Sequence, residues 1–293
     1  MELSISPELE GSKVDTILKK RLGLSGTVVR RIKWWPDGIL LDGQRVQTDA
    51  RPQVGQLLSV RLDDLERRSG IVPAPGPLDL VYEDEDLIVV NKAPGVPVHP
   101  GPGHYNDTLG NFLLWHYDLE GDSADFHPVH RLDRGTSGLL VAAKHPHAQE
   151  ILKRQLHTEG FRRTYLAVCE GRPEPPSGLI SAPLGPKDGS LVKQMVRPDG
   201  KPARTRYRVL SAHSGRSLLR LELDTGRTHQ IRVHMAYLGH PLTGDFLYGR
   251  EDRTLISRPA LHSAELSFLH PLTGRLLSFS RPMPGDMAAL LSD

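Results

Sequence analysis

From Ser12 the apolar positions fall at Val14, Ile17, Leu18 and Leu22, a spacing that lays one oily stripe along a helix, and Gly23 is placed to end it. Ser25 can cap a second short helix in which Val28, Val29 and Ile32 share a face, leaving Arg30, Arg31 and Lys33 toward solvent. The period then drops to two. Ile39-Leu-Leu41 and Arg45-Val46 bracket Asp42-Gly43, a hairpin turn whose two central residues need positive φ, and residues 56–62 read as a further strand. Residues 63–78 are charged and then rich in Pro and Gly, too polar and too broken for a core element.

Beyond that break, Leu87-Ile-Val-Val-Asn91 and Leu139-Leu-Val-Ala-Ala143 are continuous apolar runs of buried strands. Ala148, Ile151, Leu152 and Leu156 mark a helix, and residues 163–170 a strand. Residues 203–210 alternate strictly, with Arg204, Arg206 and Arg208 on one face, and residues 217–223 form a strand beside them. Thr228 is placed to cap a helix carrying Ile231, Met235 and Leu238 that stops at Gly239. Strands outnumber helices and follow one another like hairpins, so an α+β fold with a mainly antiparallel sheet is predicted. The expected division is a small domain at 12–62, a linker at 63–78 and a large domain at 79–290.

Composition changes this picture little, but charge distribution does. The 293 residues carry 37 Lys and Arg against 35 Asp and Glu. Residues 12–62, however, hold ten basic against four acidic side chains, and residues 153–237 sixteen against seven. Two basic zones of that kind suit an anionic polymer. Cys169 is the only cysteine, which excludes an internal disulfide and a cysteine metal cluster. The first residues lack the basic and apolar regions of a signal peptide, and no run approaches the ~20 apolar residues of a membrane span. A cytoplasmic protein without membrane contact is expected.

Two segments concentrate the chemistry. His130-Arg-Leu-Asp-Arg-Gly-Thr-Ser-Gly138 is a polar loop running into a buried strand, which presents a carboxylate from a rigid edge. Thr225-Gly-Arg-Thr-His-Gln-Ile-Arg-Val-His234 supplies cations around a helix start. The His130–Asp133 stretch with Thr136-Ser-Gly138 resembles the signature of the RluA-type RNA pseudouridine synthases. Asn91-Lys92-Ala-Pro-Gly-Val-Pro-Val-His99, Arg163-Thr-Tyr165, Gly226–Arg232, Leu261-His-Ser-Ala-Glu265 and His270–Gly274 are similar to further segments of that family, in its order. The two basic helices and hairpin of residues 12–62 resemble an S4-type RNA-binding domain, from which Trp34-Trp-Pro-Asp-Gly38 departs.

The resemblance implies a pseudouridine synthase fold with a central cleft, isomerisation of uridine in RNA, and no cofactor or metal. It further implies Asp133 as the catalytic aspartate, Tyr165 stacking on the target base, Arg232 pairing with the aspartate and Arg131 filling the gap left by the flipped base. Ribosomal RNA is the expected substrate, with tRNA as the alternative, and the protein is expected to be a monomer. The residue types suit the chemistry: burial favours a neutral carboxyl, and a guanidinium beside it reverses that bias.

Blander readings stand beside these. Asp133 alone would be a turn residue, Tyr165 a core tyrosine, Arg232 a surface arginine, His130 a structural donor, and the 204/206/208 stripe a solvated face. His127/His130, His145/His147 and His229/His234 lack the spacing of a hydrolytic zinc motif. A non-catalytic RNA-binding or ribosome-assembly factor is the rival of a different class. A nucleosidase would require a second positioned carboxylate, for which no motif is present.

Overall fold

The computed structural model describes residues 1–63, 67–156 and 158–292. At the N-terminus, helices Val14–Lys20 and Gly26–Ile32 pack on a four-stranded antiparallel sheet ordered Glu2–Ser4, Leu57–Val60, Ile39–Leu41, Gln44–Arg45. The stripe predicted from spacing is the core of this head: Val14, Ile17, Leu18, Val28, Val29 and Ile32 bury against Ile39, Leu58 and Val60. Ser25 caps the second helix by accepting from the Val28 amide at 3.3 Å. Asp42 and Gly43 both take positive φ, 48° and 79°. The head begins earlier than residue 12, because Glu2–Ser4 adds an edge strand with Leu3 opposite Leu58. Three residues are too few to show a period.

The expected linker is not a loose tether where it is described. Arg67 meets the Asp118 carboxylate at 2.6 Å and donates to the carbonyls of Asp122 and Ala124. The amides of Arg68 and Ser69 both donate to Asp125 at 2.8 Å. Ile71 and Leu78 pack on the large unit's core. Residues 64–66 of that stretch lie outside the described residues.

The large unit is a ten-stranded sheet. Its main path runs Ser177–Ser181, Arg204–His213, Arg216–Leu223, Phe161–Glu170, Leu261–Leu269, Ser137–Ala143, Leu87–Lys92, Leu80–Glu83, with Leu276–Ser280 and His127–Pro128 paired off it. All pairings are antiparallel except that of Leu261–Leu269 with Ser137–Ala143, so the expected α+β class with a mixed, mainly antiparallel sheet holds. At the parallel seam the backbones nearly touch. A Cβ on Gly138, whose φ is 110°, would sit 2.3 Å from the Ser263 carbonyl oxygen, so only glycine fits where the Asp133 loop enters its strand.

The Leu87–Lys92 strand opens with four apolar residues, Leu87 to Val90, because both faces are covered there. Ile88 and Val90 pack with the helix Leu109–Leu119, and Leu87 and Val89 with the helix Pro146–Gln155. On the other half of the sheet, register puts Tyr165, Leu221 and Tyr207 on the face toward the helix Gln230–Tyr237, and Thr164, Glu222 and Arg206 on the opposite one. The arginine stripe therefore points away from Tyr165. Arg204 and Arg206 share the one carboxylate of Asp224 at 3.4 and 3.3 Å and stand half-exposed, which makes the stripe a solvated face.

Candidate active site

Asp133 stands on the loop that feeds the parallel seam, and two buried cations hold that loop by its main chain. Lys92, 2% exposed, donates to the carbonyls of Ala93, Val96 and Arg134 at 2.8, 2.9 and 3.2 Å. Burial pulls its ammonium down to about 7, against the opposing attraction of Asp133. Arg258 donates to the carbonyls of Gly135 and Leu261 at 3.2 and 3.1 Å while its guanidinium bridges Asp286. The Thr136 amide closes the turn on the Asp133 carbonyl at 3.0 Å.

The carboxylate itself is partly exposed and faces Arg232, whose Nη1 lies 3.4 Å from Oδ2; His229 Nε2 is 4.0 Å from the same oxygen. Arg232 was expected to pair with Asp133, and it does so with a single long contact. Its two-pronged fork is taken by Asp245, with Nε to Oδ2 at 2.7 Å and Nη2 to Oδ1 at 2.8 Å. Asp245 has no exposed surface and also accepts the amides of Leu247 and Tyr248. The Phe246 and Tyr248 rings lie 5.9 and 5.2 Å from the guanidinium. A fork fixed in this way aims one remaining N–H at Asp133 with little freedom to turn.

The helix that carries Arg232 starts later than the sequence suggests. His229, not Thr228, is its N-cap residue, in a left-handed conformation with φ 56° and without a side-chain cap bond. Gln230 organises the start by accepting the Arg227 amide at 3.0 Å and donating to the Arg204 carbonyl and the Thr205 hydroxyl. His229 Nδ1 is 2.7 Å from the Tyr248 hydroxyl, and burial lowers its imidazole below the ordinary value.

A cleft of about 240 Å³ gathers Asp133, Arg131, Tyr165, His229 and Arg232 along one wall or another. That is room for one nucleoside and excludes a paired helix. Tyr165 is 4% exposed and belongs to the core cluster, so it packs below while lining the cleft above; burial pushes its phenol up. Arg131 is exposed at the cleft's rim. His130 is pushed down to about 3 by burial and by Arg163, and its Nε2 accepts from the Val141 amide. It is a neutral acceptor here, where a structural donor was expected.

The RNA pseudouridylate synthase family matches residues 86–237, a span that holds Asp133, Tyr165 and Arg232. An RNA pseudouridine synthase of Bacillus subtilis (strain 168), itself uncharacterised, is 40% identical over 92% of this chain and 95% of its own length. The chain belongs to the RluA-type RNA pseudouridine synthases. Ribosomal large subunit pseudouridine synthase D of Nitrosomonas europaea is 36% identical over 99% of this chain and 87% of its own. The solved human RNA pseudouridylate synthase domain containing 1 shares the fold with a TM-score of 0.58 at 28% identity, covering 71% of this chain and 85% of that one. The reaction of this synthase is the isomerisation of uridine in RNA to pseudouridine.

Sequence reasoning missed Asp245, Tyr248 and Arg258. Nothing in their spacing announces them, since all three lie in the irregular connection between the Gln230–Tyr237 helix and the Leu261–Leu269 strand, where no period operates. The synthase's remaining cluster of ligand-type side chains among the described residues is Asp84, Asp86 and His270, within 4.8 Å of one another. Hydrogen bonds already engage it: Asp84 accepts from Tyr82 and from the amides of Asp86 and Leu87, and His270 Nε2 meets Asp84. Among the described residues no helix is long and apolar enough to cross a membrane.

Proposed function

We propose that this synthase modifies uridines of ribosomal RNA, with Asp133 as the catalytic carboxylate, Tyr165 as the stacking surface, Arg131 as the filler of the flipped base's place, and Arg232 as the guanidinium that pairs with Asp133. The observation that carries this reading is the meeting of Asp133, Tyr165 and Arg232 in one nucleoside-sized cleft, with the guanidinium 3.4 Å from the carboxylate. Conversion requires the N1–C1′ bond to break, the uracil to turn, C5 to join C1′, and the C5 proton to leave while N1 gains one. An ionised carboxylate serves either as nucleophile at C1′ or as base toward the C2′ proton. Flipping the nucleotide out costs a few kcal/mol, and stacking on an aromatic ring returns about 1–3 kcal/mol.

Residues 12–62, with the edge strand that precedes them, act in this reading as an S4-like RNA-binding head that adds phosphate contacts and affinity. Ribosomal RNA is favoured over tRNA because relatives alignable over nearly the whole chain carry a large-subunit name. A monomer working in the cytoplasm completes the reading. The test is pseudouridine mapping across rRNA and tRNA in a strain lacking the gene, complemented with wild type or with Asp133→Asn. Sites in rRNA that vanish and return only with wild type are expected. Sites restored by Asp133→Asn would remove Asp133 from its role and revive the non-catalytic rival; sites lost from tRNA alone would move the substrate.

A further inference from the structure

Three arginines are buried among the described residues, and they are not alike. Arg232 and Arg258 each hold a carboxylate through a two-pronged bridge, to Asp245 and Asp286. Arg163, 6% exposed, has no such partner: its Nε and Nη2 make no hydrogen bond. Its one close ring neighbour is Phe161, with the centroid 5.9 Å from the guanidinium carbon. His130 beside it is held neutral by burial and by that same guanidinium, so the imidazole adds no second positive charge and has no negative one to offer. An uncompensated buried charge is expensive, and a fold that retains one on the wall of a cleft is waiting for an anion to share it.

The placement says which anion. Arg163 leaves the Phe161–Glu170 strand on the same face as Tyr165, two positions along, which is about 7 Å. That is the scale separating a nucleobase from its own phosphate. Both side chains line the cleft that holds Asp133, and Gly226 packs close to the guanidinium without a side chain of its own: a Cβ there would stand 3.2 Å from Nη1. We propose that Arg163 binds the phosphodiester flanking the target ribose, so that a base stacked on Tyr165 has its sugar drawn toward Asp133. Uracil and ribose are neutral, and the phosphodiester is the charged group that RNA can offer. This rests on reading the cleft as the uridine site.

The test uses the full chain and two dinucleotides, UpU and its uncharged methylphosphonate analogue, titrated against protein labelled with ¹⁵N-arginine. Wild type is expected to bind UpU roughly tenfold or more tightly than the analogue, as befits a hydrogen bond to a charged group. Only UpU should move the Arg163 Nε resonance. Arg163→Met should erase the preference and raise thermal stability, since it deletes an unpaired buried charge, whereas an arginine kept for packing would lower stability when replaced. Arg163→Lys should retain part of the preference. Equal affinities in wild type, a preference that survives Arg163→Met, or no UpU binding at millimolar concentration would each overturn the assignment. Failure of the underlying function reads separately, as absence of pseudouridine in rRNA treated with wild-type enzyme.

Discussion

Asp245→Asn is the substitution that best separates the framework of the site from its chemistry. Asn keeps the shape but offers Arg232 one carbonyl oxygen and an NH2 group in place of two anionic oxygens, leaving a guanidinium that is 4% exposed with only the single long Asp133 contact as counter-charge. Removing one partner of such a buried pair costs about 3–5 kcal/mol, while replacing both with apolar groups can be nearly neutral. Asp245→Asn is therefore expected to lower the large unit's stability by that amount, and Asp245→Asn with Arg232→Met to recover most of it while remaining inactive. Trp34 and Trp35 lie in the head and Trp115 on the Leu109–Leu119 helix. In a Trp34→Phe, Trp35→Phe background the fluorescence of Trp115 thus reports the large unit alone during urea unfolding. A midpoint shift at unchanged slope gives the energy. A loss below about 1 kcal/mol for Asp245→Asn, or a double variant worse than the sum of the singles, would show that the buried pair does not carry the charge balance assigned to it.

Other expectations concern the loop, the lysine and the outer face. Gly138→Ala forces a Cβ to within 2.3 Å of the Ser263 carbonyl at a φ of 110°, so it should destabilise the fold by several kcal/mol, about the upper end for single substitutions; soluble enzyme with a wild-type melting temperature would contradict this. Lys92 has a folded value of about 7 against an ordinary 10.5, so between these the unfolded chain holds the extra proton and stability rises with pH. Lys92→Met should flatten that rise between pH 7 and 10 in denaturation curves, and identical slopes would mean that the three carbonyls keep the ammonium charged. Replacing Arg204, Arg206 and Arg208 together by Ala should leave the salt dependence of RNA binding unchanged, because the stripe lies on the face away from Tyr165; a shallower slope would return it to the RNA interface.

Legibility followed the range of the interactions. The short head helices and the Asp42-Gly43 turn could be read because local spacing and backbone sign decide them. The strands Leu87–Lys92 and Ser137–Ala143 were readable from the apolar runs 87–90 and 139–143 within them, because both of their faces are covered there. The Leu109–Leu119 helix went unread although Thr108 and Asn111 form a capping box, since an Asn at the third position and an early glycine dilute the usual start signal. The start of the Gln230–Tyr237 helix was misplaced by one residue because a side-chain amide, not a hydroxyl cap, organises it. In the cleft, the motifs bring Asp133, Tyr165 and Arg232 together, but the division of Arg232 between two carboxylates depends on Asp245, thirteen positions further on and outside any pattern of period.

The grip on the Asp133 loop has a consequence for how the protein can change over time. Lys92 and Arg258 hold carbonyl oxygens at positions 134 and 135, and every amino acid offers the same carbonyl. The aim of the carboxylate is therefore inherited in large part from two distant cations, to which the exposed Arg134 side chain adds one bond, Nε donating to the Gly95 carbonyl at 3.0 Å. A substitution at position 134 loses the bond to Gly95 but keeps both main-chain holds, whereas a change at 92 or 258 removes a hold and would misdirect the aspartate from more than forty and more than a hundred and twenty residues away.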